Sequence, residues 1–317
     1  MVLMMTDHKY LLKVILCILI TPGLLVACSN EKAVDSEMRR EDMAAIEYSQ
    51  VMIIAHRGAR SLAPENTLPA AAKALENYAD GWELDVAMSA DGELVVLHDD
   101  TLERTSNVMS VFPDRKPWSV YEFSLAELQQ LDFGSWFVES DPFGQISQGN
   151  VAASDLENYR GTRIPKLEEA LEYTKSNHWW VNIEIKDASG TPSDAVIVSE
   201  VVRLVENMGM EDQVLISSFN WDYLNQVKAL NPNLATGVLA KSIVMDPVSL
   251  MKKIDAQAFH PGIKVTLAAQ VKQLRENNYD VNVWTVNEVS DMERLIEMGV
   301  TGIITDFPQR LYPIINP

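Results

Sequence analysis

Cysteine is nearly absent from this chain of 317 residues: there are two, Cys17 and Cys28, both near the start. No disulfide framework can staple the remainder, so its stability must come from a packed core. Long apolar runs are missing too. The most hydrophobic stretch, Val14 to Ala27, is interrupted by Thr21, Pro22 and Gly23. It is too short to cross a hydrocarbon layer of ~30 Å comfortably and has the length of a signal-peptide core. An uncleaved membrane anchor is the alternative. Basic residues are scarce, with 26 Lys and Arg against 45 Asp and Glu and a net charge of −19. Such a surface repels nucleic-acid phosphates and argues against a nucleic-acid partner. A phosphate ligand would need cations gathered locally, which draws attention to Arg57, Lys186 and a metal ion. No internal repeat or low-complexity tract is present.

What the chain does contain is a regular alternation. Residues 29–50 are charged and poor in apolar side chains, the composition of a tether. From Val51 onward, short apolar runs alternate with amphipathic stretches. The runs predict strands at Met52–Ala55, Trp82–Val86, Val181–Ile185, Val214–Ser218, Ala235–Leu239, Ala256–Phe259, Val281–Thr285 and Gly302–Thr305. Leu94–Leu97 follows the turn dipeptide Asp91-Gly92 and reads as the return arm of a hairpin. Helical patterns lie between the runs. Eight such units in residues 51–317 predict an α/β fold of the TIM (β/α)8-barrel type, with a doubly wound sheet as the alternative. The alternation breaks once. After the second strand and its hairpin, residues 101–164 carry scattered aromatics and the N-cap pattern Ser124-x-x-Glu127, and read as an insertion over the barrel mouth.

Barrel active sites form at the C-terminal ends of the strands. Those positions hold His56 and Arg57, then Glu83 and Asp85, then Glu184 and Lys186, with His98 ending the hairpin arm. Glu83 and Asp85 are two apart and share one face of a strand; Glu184 and Lys186 repeat that spacing. Three inward carboxylates cannot all stay ionised without a compensating cation. Their hard oxygens suit one divalent ion, Ca²⁺ or Mg²⁺. A metal-free salt-bridge cluster through Arg57 and Lys186 is the alternative. His56 and His98 are candidate acid and base, because imidazole exchanges a proton near neutral pH. Arg57 offers a planar fork to a phosphate oxygen or pairs with Glu83 and Asp85. His260, after the sixth run, is expected to face the mouth, unless it and Pro261 simply turn the chain. Trp284 either walls a leaving-group pocket or caps the barrel core. Asp306 is expected to order a loop.

Read together, these segments resemble the glycerophosphodiester phosphodiesterase family. The resemblance rests on His56-Arg57-Gly58, Pro64-Glu65-Asn66-Thr67, Glu83-Leu84-Asp85, His98-Asp99-x-Thr101-Leu102-x-Arg104-Thr105, Glu184-Ile185-Lys186, Val283-Trp284-Thr285-Val286-Asn287 and Gly302-Ile303-Ile304-Thr305-Asp306. It runs in order over nearly the whole chain beyond the tether. The resemblance implies a (β/α)8 barrel that hydrolyses glycerophosphodiesters to glycerol 3-phosphate and an alcohol. It implies His56 and His98 as the acid/base pair and Glu83, Asp85 and Glu184 as ligands of one metal ion. Arg57 and Lys186 would contact the phosphate, with His260 and Trp284 as further candidate substrate contacts. The nucleophile it implies is the substrate's own 2-hydroxyl, giving a cyclic phosphate that water opens. Asp187 stands where many members have proline. A lysophospholipid, an envelope glycerophosphate polymer, or capture of phosphodiesters without turnover are the rival readings.

The segment Leu25-Val26-Ala27-Cys28 resembles the lipobox of bacterial lipoproteins. That implies a signal peptide over residues 1–27, a diacylated Cys28, and a membrane partner through the acyl chains. The enzyme would then sit in the cell envelope, facing away from the cytoplasm. The oligomeric state is left open.

Overall fold

A computed structural model describes residues 51–317. The signal-peptide, lipobox and tether assignments fall on residues 1–50, outside the described residues. No helix among the described residues is long and apolar enough to cross a membrane.

Nine strands form one sheet: β1 (Met52–His56), β2 (Gly81–Met88), β3 (Leu94–Val96), β4 (Trp180–Ile185), β5 (Val214–Ser218), β6 (Ala235–Ala240), β7 (Ala258–Pro261), β8 (Asp280–Val283) and β9 (Gly302–Thr305). Eight of them run parallel in the order β1-β9-β8-β7-β6-β5-β4-β2, and pairing of β1 with β2 closes the ring. β3 adds antiparallel to β2, as the hairpin turn requires. The result is the closed eight-stranded barrel with outer helices, not an open doubly wound sheet.

Local chemistry explains the elements. Helix Leu68–Glu76 starts where the Thr67 hydroxyl accepts from the Ala70 amide, with proline in its first turn. Helix Ile197–Met208 buries Val198, Val201, Val202 and Val205, spaced to form one face, and stops at left-handed Gly209. Outward-facing strand residues such as Ile53, Ala55, Leu84 and Ile183 meet these faces in the main core. Burying a side chain of that size contributes roughly 1.5–3 kcal/mol.

Residues 101–164 contain four short helices, Val108–Val111, Leu125–Leu128, Ser135–Ser140 and Ala153–Tyr159. Ser124 and Glu127 form the reciprocal capping box, although the helix behind it is shorter than the pattern suggests. This segment has a second core of its own, with Leu102, Trp118, Phe123, Leu128 and Phe133 packed on Val95 and Leu97 of the hairpin arm. It leans on the first and last mouth loops: the Tyr159 hydroxyl donates to the Leu62 carbonyl at 3.0 Å, and the Phe143 ring meets Phe307 edge-on.

Two strand boundaries move. β7 begins two residues later than the apolar run suggests, because the Ala256 amide closes the preceding helix on the Met251 carbonyl. β8 stops at Val283, leaving Trp284 beyond the strand. The first shift corrects the expectation that His260 faces the mouth. His260 sits inside the strand opposite Leu239, with its side chain fully buried in the barrel. The ring lies over Gly237, where a Cβ would come within 2.8 Å of it, and its Nε2 meets the Asn282 side-chain nitrogen at 3.0 Å. Burial pushes its pKa down to about 3, so it is a neutral packing group.

Candidate active site

The mouth of the barrel is assembled from strand ends in the order the chain supplies them. His56 is the last residue of β1. Arg57 then takes a left-handed backbone, φ +55°, and Gly58 follows at φ +78°. A side chain on Gly58 would strike Ala70 at 2.5 Å, so the glycine is what allows the loop to fold back against the first helix. The turn aims the Arg57 amide at Glu83, whose Oε2 accepts it at 2.9 Å.

Glu83 and Asp85 face inward from β2, and strand register sets Asp85 beside Glu184 and His56 beside Glu83. One carboxylate oxygen from each of Glu83, Asp85 and Glu184 lies within 4.8 Å of the others, and all three residues are buried. Burial, then Asp85 and Glu184, hold the Glu83 carboxyl well above the usual carboxylate range. Glu184 is raised by burial and by Asp85. Burial also lifts Asp85, but Arg57, His98 and Lys186 together outweigh it and pull its pKa down. Protein cations do not complete the cluster. Asp85 Oδ1 is buried without a hydrogen-bond partner, and the nearest ammonium, Lys186, is 3.8 Å away while bound to Glu184 at 2.9 Å. Three hard oxygens and an orphaned carboxylate oxygen fit a divalent cation of the calcium or magnesium type.

Both imidazoles carry a carboxylate on Nδ1. His56 Nδ1 is 2.6 Å from Asp306, and His98 Nδ1 is 2.6 Å from Asp99. Asp306 is held in turn by the Asn287 side chain at 2.7 Å. Asp306 thus does more than order its loop: it orients His56, a role that spacing alone could not reveal across 250 residues of sequence. With Nδ1 engaged, Nε2 is left as the atom each ring offers to a ligand. Burial first, and Arg57 next, lower the His56 pKa against the pull of Asp306. Arg57 pairs with Glu65 at 2.8 Å and with Asp85 at 3.2 Å. Asn66 donates to Asp85 at 2.9 Å, so Glu65 and Asn66 stand behind Arg57 and Asp85.

A cavity of about 100 Å³ opens at this end of the barrel. His56, Arg57, Glu83, His98, Glu184 and Lys186 line it together with Asn182, Phe219, Leu239 and Trp284. Trp284 packs edge-on to Phe219 at 5.4 Å and donates to the His260 carbonyl at 2.7 Å, so it is a wall of the pocket. Asn182 is a lining residue that no sequence motif singled out for this role. A larger cavity of about 860 Å³ lies elsewhere, near Lys272 and Glu297, away from the imidazoles and the acidic cluster.

Paired imidazoles, three carboxylates, an arginine and a lysine at one barrel mouth mark the class as a (β/α)8-barrel enzyme with its polar site at the C-terminal ends of the strands. Comparison with known proteins makes the assignment particular. Residues 56–310 match the model of the glycerophosphoryl diester phosphodiesterase family, and the chain belongs to that family. A glycerophosphodiester phosphodiesterase of Caldanaerobacter subterraneus is 35% identical over 84% of this chain and 98% of its own length. One of Bacillus subtilis is 31% identical over 84% of this chain and 86% of its own. A phosphodiesterase of Oleispira antarctica, solved with its product sn-glycerol-3-phosphate, superposes with a TM-score of 0.71 at 29% identity, covering 86% of this chain and 99% of that one.

Proposed function

We propose that this enzyme hydrolyses glycerophosphodiesters to sn-glycerol 3-phosphate and a free alcohol, with His56 and His98 as its acid/base pair and with a divalent cation. The observation that carries this is the placement of both carboxylate-backed imidazoles in one pocket with Glu83 and Glu184, which Asp85 joins in the buried acidic cluster. Held by those three residues, Ca²⁺ or Mg²⁺ would neutralise charge that builds on the phosphate. Arg57 and Lys186 hold the phosphate oxygens from the same side. His56, kept neutral by burial and by Arg57, takes the proton of the attacking hydroxyl on Nε2. His98 delivers a proton to the departing alkoxide, and Asp99 stabilises the imidazolium that does so. With the substrate's 2-hydroxyl as nucleophile this leaves a cyclic phosphate. Water opens it by giving a proton to the now neutral His98 while His56 returns its proton to the 2-oxygen. The apolar wall of Phe219 and Trp284 shapes the space for the alcohol.

Release of sn-glycerol 3-phosphate from glycerophosphocholine tests the reading. His56→Ala and His98→Ala should each lose about 100-fold or more in kcat. EDTA should abolish turnover, and added Ca²⁺ or Mg²⁺ should restore it. Near wild-type turnover in the folded, metal-loaded variants would sink the acid/base assignment. Ligand binding without any turnover in the wild type would favour a capture protein. A panel that adds lysophospholipids assigns the alcohol group.

The envelope location forms part of the same reading. The lipobox-like Leu25-Val26-Ala27-Cys28 supports a lipid-anchored enzyme outside the cytoplasm. Labelled palmitate should enter the full-length protein and not Cys28→Ser, and cell fractionation should move that variant out of the membrane fraction.

A further inference from the structure

Arg104 does not line the catalytic pocket, yet its guanidinium touches partners of two groups that do. Nε donates to Asp99 Oδ2 at 2.5 Å, and the other oxygen of Asp99 holds His98. Nη1 and Nη2 grip both oxygens of Glu65, at 3.1 and 2.6 Å. Glu65 Oε1 in turn accepts from Arg57 at 2.8 Å, and Arg57 reaches the acidic cluster through Asp85. One planar fork therefore bridges the carboxylate behind the imidazole and the carboxylate behind the phosphate-facing arginine. The two carboxylates come from different parts of the fold, the β1 loop and the end of the hairpin arm. Arg60 also reaches Glu65, at 3.3 Å, but it approaches Asp306 only at 3.6 Å and does not touch Asp99. The Trp136 ring of the inserted segment lies 5.8 Å from the Arg104 guanidinium carbon, backing the fork from outside.

We infer that Arg104 is a positioning residue that fixes His98 relative to Arg57, so that proton donor and phosphate clamp are presented at one set distance. Only a guanidinium can do this. It offers separate N–H groups in one rigid plane, enough for two carboxylates at once, whereas an ammonium is a single point of charge. Glu65 is buried and Asp99 partly so, and burial alone would raise both carboxyls; Arg104 together with Arg57 and His98 holds them ionised. The inserted segment thereby gains a task beyond covering the mouth, since Trp136 restrains the residue that ties the site together.

The inference rests on the reading of His98 and Arg57 given above, and His98→Ala tests that reading separately. In Arg104→Ala, kcat on glycerophosphocholine should fall about 100-fold while KM moves by less than about threefold, the mark of a misplaced group and not a lost ligand contact. Free guanidinium ion should recover kcat in Arg104→Ala and leave His98→Ala unchanged. Arg104→Lys should remain close to Arg104→Ala, because charge without the fork does not bridge. In the wild-type background, Glu65→Gln and Asp99→Asn should be strongly non-additive; in the Arg104→Ala background they should become additive. A folded Arg104→Ala enzyme with kcat within about threefold of wild type overturns the inference. So does additivity of the two carboxamide variants in the wild type. Should Arg104→Ala fail to fold by circular dichroism, Arg104→Lys decides alone: near wild-type kcat overturns the fork, and a large loss in kcat with KM within about threefold of wild type supports it.

Discussion

Each imidazole in the pocket has a carboxylate on Nδ1, and in the proposed acid/base pair the two would work as one group. Asp306 engages His56 through Nδ1, which leaves Nε2 as the nitrogen to offer a ligand. Asp306→Asn keeps the size of the side chain but loses the charge that stabilises a transient imidazolium. It should lower kcat by roughly 100-fold with little change in melting temperature, read by product release and thermal denaturation. The pH profile carries a second expectation at this scale. His56 must be neutral to accept a proton, and burial and Arg57 depress its pKa below the ordinary 6.5. A depressed pKa keeps the base deprotonated further into acid. The acidic limb of kcat/KM should accordingly have its midpoint below 6.5, and a limb at or above that value would contradict the assignment of His56 as base.

At the scale of elements, the site depends on where strands end and what small residues permit. Period-two spacing on β2 and β4 was legible from the sequence and put Glu83, Asp85 and Glu184 on inward faces, because a strand leaves its side chains no other choice. The fate of His260 was not legible. Whether a histidine near a strand end reaches the mouth or turns into the barrel depends on a shift of two residues in β7 and on space above Gly237. Neither is visible in an apolar run. Gly237→Ala tests this packing: the added methyl must displace the His260 ring, lying within 2.8 Å of it, and should cost about 1–3 kcal/mol in urea unfolding. A neutral result would mean that the ring has room to move.

For the molecule as a whole, the acidic cluster is a liability until a cation arrives. Glu83 and Glu184 have raised pKa values in the fold, so their carboxyls contribute stability when protonated. That contribution is lost as pH rises through their folded values, and above those values the metal-free barrel bears their repulsion. Added Ca²⁺ or Mg²⁺ should therefore raise the melting temperature, by an amount equivalent to about 2.7 kcal/mol at a hundredfold excess over Kd. EDTA should reverse it. Glu184→Gln should raise the melting temperature of the EDTA-treated protein and abolish the response to metal, two opposite signs from one substitution. Unchanged melting with either ion would count against a metal at this cluster.

By itself the sequence determined the alternation that builds a barrel, the inward facing of the three carboxylates, and the likeness that names the family. These follow from periodicity and short motifs, which local backbone geometry imposes wherever the strand lies in space. Only the tertiary structure decided which groups meet across long separations. Asp306 reaches His56 because β9 pairs with β1, Glu65 and Asp99 converge because Arg104 bridges two loops, and the His260 ring fits inside the barrel because β6 offers Gly237 beneath it. Closure of the ring sets those meetings, and no segment of the chain read alone contains the closure.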